Sequence, residues 1–205
     1  MNKLNPKPFL RLDWAAIGWW VLVTPLSSLV GLIVGYIGAM LFAYWQLGDW
    51  TPYALFGLVF GLTTGLAQSL VLGRWVAQPL GWILATAFGE ACNFAGLGFL
   101  FHIHGSLWDS LLIIGLTASL LGFAQWLLLR RWVKNAIWWI PATASGKVIG
   151  AIFVASLAAR SDFGFDAVIA LQTPSALITA ATLSVLFRDT QRLFPLAISP
   201  KPLDL

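Results

Sequence analysis

Six stretches of this chain are apolar for about 20 residues or more, the length a helix needs to cross a hydrocarbon core. They cover residues 19–45, 53–72, 82–101, 110–129, 138–159 and 167–187, with charge concentrated in the short segments between them. The pattern predicts an all-α, polytopic membrane protein of six transmembrane helices. The first stretch is longer than a straight crossing requires, so it tilts or bends, and Pro25 offers a kink. Pro141 and Pro174 fall near the starts of the fifth and sixth stretches, where proline costs least. The runs "GLIVGYIG" and "GLVFGLTTGLAQ" place small residues at helical spacing and let neighbouring backbones approach closely.

The polar positions set the orientation. Lys3, Lys7 and Arg11 precede the first stretch, and Arg74 lies between the second and third. Arg130, Arg131 and Lys134 lie between the fourth and fifth, and Arg188, Arg192 and Lys201 follow the sixth. All of these fall on one side, which the positive-inside bias makes cytoplasmic. The opposite segments hold Asp49, Asp109, Asp162 and Asp166, with Arg160 the only base. Both termini are therefore expected in the cytoplasm. Residues 1–18 form a basic N-terminal tail without the features of a cleaved signal, and 188–205 form a proline-containing C-terminal tail. Trp14, Trp19, Trp20, Trp75, Trp82, Trp132, Trp138 and Trp139 map to the cytoplasmic boundary, and Trp45, Trp50 and Trp108 to the outer one. An aromatic belt of headgroup anchors is the expectation for nearly all of them.

The chain repeats itself. "GLAQSLVLGRWVAQPLGWILATAFGE" (65–90) aligns without gaps on "GFAQWLLLRRWVKNAIWWIPATASGK" (122–147), 57 residues later, with half or more of the positions identical. Trp20 and Thr24 match Trp82 and Thr86, then Trp139 and Thr143; Arg74 and Arg131 are followed at the same interval by Arg188. The unit is a helical hairpin used three times, at about 19–72, 82–129 and 138–187. All three enter from the same side, which makes them parallel repeats about an axis along the membrane normal.

The repeat also organises the few buried polar groups. Trp20, Thr24 and Ser28, then Trp82, Thr86 and Glu90, then Trp139, Thr143 and Lys147 are spaced four apart, so each trio lies along one helix face. Eight residues past the tryptophan is a rise of about 12 Å, near the middle of a roughly 30 Å core. Glu90, the only glutamate in the chain, and Lys147 thus occupy equivalent positions at equal depth with opposite charge. Either one alone in lipid would cost about 2.5–3.5 kcal/mol or more, so the two are expected to pair, helped by Thr86, Thr143, Ser28 and Asn93. Such a pair is either a midplane site for a proton or ion, or a buried bridge that fixes helix register. Gln68 and Gln125 form a second tier, with Thr182 at the same interval in the third copy, suited to hydrogen bonds between helices. His102 and His104, with Asp109 nearby, are a weak candidate for metal, haem or chlorophyll ligation, because residues two apart on a helix diverge.

Composition agrees with the pattern. Hydrophobic residues make up 59% and charged residues 10% of the chain, against about a quarter charged in a soluble domain. The net charge of +4 comes without a continuous basic face, so no nucleic-acid partner is expected; the partners implied are the bilayer and other membrane subunits. The single cysteine, Cys92, excludes an internal disulfide and is expected to act as a small buried hydrophobe. No nucleotide loop, zinc motif or nucleophile elbow occurs, and no enzyme activity is expected; the sequence leaves any cofactor open.

The segments "AQSLVLGRWV" and "AQWLLLRRWV", each followed by W-x-x-A-T-A, resemble a loose group of bacterial, largely cyanobacterial, multi-pass membrane proteins with a repeated Ala-Gln-Trp-Leu-x-Leu-Arg-Arg hairpin. The likeness spans roughly residues 60–150 and departs at Gly73, where the second copy has Arg130. It implies a membrane fold in a bacterial inner or thylakoid membrane and no catalytic residues. On these grounds the expected role is an accessory, assembly or scaffold subunit of a larger membrane complex, with "FPLAISPKPLDL" as an extended docking tail. The alternatives are a carrier or channel for a small solute, ion or proton at Glu90 and Lys147, and a pigment-, haem- or lipid-binding protein.

Overall fold

The computed structural model describes residues 14–44, 51–73, 79–102, 106–158 and 165–193, and within these the secondary structure is helical throughout. The helices are α1 (Trp14–Tyr44), α2 (Thr51–Leu72), α3 (Pro79–His102), α4 (Leu107–Leu129), α5 (Trp139–Ala158) and α6 (Phe165–Leu193). Helices α1 and α6 run several residues past their apolar stretches at the ends nearest the chain termini. An α-helix satisfies its backbone internally, so it continues across a change of solvent.

Local chemistry marks the ends. Ser106 caps α4: its hydroxyl accepts the Asp109 N–H, and the Asp109 carboxylate accepts both the Ser106 N–H (2.8 Å) and hydroxyl (2.7 Å). This reciprocal arrangement satisfies donors that the first helical turn leaves open. Between α4 and α5 the chain reverses through Asn135 in the left-handed region (φ 58°), which asparagine tolerates better than most residues. A single 3-10 turn, Ala136–Trp138, then leads directly into α5. Pro174 lies well inside α6 rather than in its first turns, because that helix starts at Phe165. Its ring denies the carbonyl of residue 170 a helical donor.

Each helix packs against its neighbours in the chain, and α6 returns to α1, closing a ring of six. Close approach depends on glycine. A Cβ on Gly57 of α2 would sit 2.4 Å from the Glu90 carbonyl oxygen of α3. Gly122 of α4 meets Ile140 and Thr143 of α5 in the same way, at 3.0 and 3.2 Å.

The ring is polar inside and apolar outside. Leu58, Leu62, Leu66 and Leu70 form an exposed row on α2, and Leu112, Leu116 and Leu120 another on α4. Buried instead are Thr24, Ser28, Thr64, Gln68, Gln125 and the Glu90–Lys147 pair. Water would penalise this distribution, whereas lipid requires it. Among the described residues, five helices are long and apolar enough to cross a membrane. Helix α3, of 24 residues, carries both Glu90 and Asn93. This is a multi-pass membrane protein.

Candidate functional site: a tiered polar centre

The first tier is aromatic. Trp20, Trp82 and Trp139, from the starts of α1, α3 and α5, meet edge-to-face with ring centroids 6.0, 6.0 and 5.7 Å apart. They are at most 1% exposed, whereas Trp14, Trp138 and Trp108 are 72%, 64% and 77% exposed. The expectation of boundary anchors is therefore corrected for these three. Their faces are set by the same helical phase as Thr24, Thr86 and Thr143, and that phase points into the ring. Leu72, Leu129 and Leu183 pack beside them and make this end of the bundle an apolar plug.

Hydrogen bonds join the plug to the second tier. The Trp82 indole N–H donates to Gln68 Oε1 (3.1 Å), and the Gln68 amide donates to Thr24 Oγ1 (3.3 Å). The same pair of bonds recurs between α3, α4 and α5. Trp139 donates to Gln125 Oε1 (2.8 Å), and Gln125 donates to Thr86 Oγ1 (3.0 Å). Each glutamine thus ties two odd-numbered helices through an even one. In the third position Trp20 donates to Thr179 Oγ1 (3.0 Å), three residues short of the expected Thr182, whose hydroxyl bonds its own helix. Other contacts share this register: Gly89 meets Leu121, and Gly146 meets Ser175. Helix α6 is therefore set three residues earlier than the strict interval predicts.

The third tier holds the charges. Lys147 Nζ bonds Glu90 Oε1 directly, with both side chains buried. Asn93 makes a long contact to Glu90 Oε2 (3.5 Å) and accepts the Thr117 hydroxyl (2.8 Å), which links the pair to α4. Ser28, at the equivalent position of α1, bonds its own helix at Thr24 O (2.8 Å) and approaches Thr64 Oγ1 (3.5 Å), not the pair. Thr86 and Thr143 spend their hydroxyl protons on the carbonyls of Trp82 and Trp139, so they offer lone pairs to the interior.

Gln172 of α6 is the residue that sequence reasoning missed. Its Oε1 accepts from Lys147 Nζ (3.3 Å), while its Nε2 is buried without a partner. In the observed register it stands level with Ala118 and Gly61, so the repeat gave no hint of it. The available signal was simply an amide within an apolar stretch. Between the tiers lies a cavity of about 20 Å³, enough for about one water molecule. Glu90, Lys147, Gln172, Ser175, Thr64 and Thr143 are among its lining residues.

Other expected features fall elsewhere. His102 is the last residue of α3, and neither its side chain nor His104 lies within the described part. Asp109 is engaged in the α4 cap. Among the described residues no three His, Cys, Asp or Glu side chains gather as a metal site. Cys92 is half-buried rather than enclosed. Trp45, Trp50, Trp75 and the tail "FPLAISPKPLDL" lie outside the described residues. Comparison with protein families, with curated proteins and with solved structures found no match.

Proposed function

We propose that this membrane protein moves a proton or a water-sized ion through the centre of its bundle, with Glu90 and Lys147 as the midplane site. The observation that supports this reading is the polar cavity beside the pair, lined in part by Gln172, whose buried side-chain N–H group has no partner among the described residues. A buried N–H left with no partner costs about 1–3 kcal/mol, so this donor calls for an occupant of the cavity. The accompanying topology is six spans in three hairpins, with both termini on the cytoplasmic side where the basic residues cluster. Helix α3 then crosses despite its polar residues, since Glu90 and Asn93 turn into the ring and not toward lipid.

Reconstitution into liposomes tests the reading. Wild-type protein should carry protons down an imposed gradient, and Glu90→Gln should reduce the proton flux at least tenfold. Unchanged proton flux in a variant that retains its melting temperature would refute it.

A second reading, an accessory subunit of a larger complex, is favoured by the tryptophan plug and the small cavity, which suit a rigid scaffold. Purification in mild detergent separates the two. A monodisperse monomer with no co-migrating protein or pigment removes the accessory role.

A further inference from the structure

We propose that the cavity is a site for one water-sized monovalent anion, a halide, taken up together with a proton carried on Glu90; this rests on the carrier reading above. The argument starts from the groups left unspent. Among the described residues Gln172 Nε2 has no partner. The Lys147 ammonium has three protons and among those residues bonds Glu90 Oε1 and Gln172 Oε1. Ser175 is buried at the cavity wall and brings a hydroxyl there. Both Glu90 oxygens, in contrast, are already engaged, one by Lys147 and the other by Asn93. What remains on the α5 and α6 side is a set in which the donors of Lys147, Gln172 and Ser175 stand against the Thr143 oxygen, with Lys147 bringing positive charge. Such a set accepts an anion and repels a metal cation.

Size and charge narrow the class. A space for about one water admits a monatomic ion and excludes carboxylates and phosphates. An anion entering alone would leave Lys147 with two negative partners and the centre with a net charge, which a low-dielectric interior opposes. A proton on Glu90 restores neutrality, and its O–H becomes a further donor. No other titratable group faces Glu90 among the described residues. Helix α2 presents Gly57 and Thr64 there, α4 presents Leu121 and Thr117, and α5 supplies Lys147.

The test uses full-length protein in liposomes loaded with sodium fluoride or sodium chloride, with gluconate as the control. An ion-selective electrode reads anion release, and an entrapped dye reads internal pH. An outward halide gradient should carry protons outward with it, and clamping the membrane potential should not alter the rate. Gln172→Leu should raise the half-saturating halide concentration roughly tenfold, the loss of one buried hydrogen bond. Glu90→Gln should abolish proton movement while anion release persists. Melting curves identify variants that fold; Ser175→Ala replaces Gln172→Leu if the latter does not. Equal proton flux in halide and gluconate would overturn the anion site and leave the carrier reading standing. Wild-type liposomes that move no ion would overturn both. Unchanged halide dependence in a folded Gln172→Leu or Ser175→Ala variant would mean that the cavity holds a resident water only.

Discussion

Two levels of the same three helices obey opposite rules. At the plug, the equivalent positions of α1, α3 and α5 all carry tryptophan and make nearly equivalent edge-to-face contacts. Two helical turns on, the equivalent positions carry serine, glutamate and lysine. Apolar aromatic rings can meet three-fold, because each edge finds a neighbour's face. Three identical charges at one level could not, since like charges at contact in a low dielectric repel strongly. Symmetry is kept where packing rewards it and broken where electrostatics forbids it.

The largest effect should come from unbalancing the charged level. Lys147→Met or Glu90→Leu alone is expected to cost about 3–5 kcal/mol, read as unfolding in detergent, because each leaves an unpaired buried charge. The double variant should recover most of that loss, or exceed wild type by about 1–4 kcal/mol, while carrying no ion. It would separate the pair's structural contribution from its chemistry in one protein.

The plug should respond less, and unequally. Trp82→Phe and Trp139→Phe keep an aromatic ring but orphan the Oε1 of Gln68 and of Gln125, at a cost of about 1–3 kcal/mol each. Trp20→Phe should cost less than either, because the Thr179 hydroxyl still donates to Ser175 O (2.6 Å). Equal losses at all three positions would show that the rings alone, and not their N–H groups, hold the tier. Smallest of all should be Trp138→Phe. That indole is neighbour in sequence to Trp139 yet exposed, and its replacement should stay within about 0.5 kcal/mol.

The contrast between Trp138 and Trp139 also shows what the sequence could say. Hydropathy reports depth, and depth sufficed to place helices over the six stretches, while the four-residue spacing brought Glu90 to Lys147. Direction is a separate quantity, fixed by rotation about the helix axis. A belt argument contains no rotation, so it placed Trp20, Trp82 and Trp139 with the exposed tryptophans. The four-residue spacing from tryptophan to threonine to charge did contain it, since one face cannot point both to lipid and to an ion pair. Gln172 and Thr179 were hidden for another reason. A three-residue change of register in α6 moved them off the interval by which equivalents were sought, and no periodicity within one helix reveals such a slip.

The bond from Trp20 to Thr179 joins residues 159 apart. A chain made from its N-terminus therefore delivers α1 and α2 long before that partner exists. Gln68 can reach Thr24 at once and Trp82 soon after, but Trp20 keeps an unanswered donor until the last helix arrives. Closure of the ring thus awaits α6, and of the six helices α1 waits longest for its final neighbour.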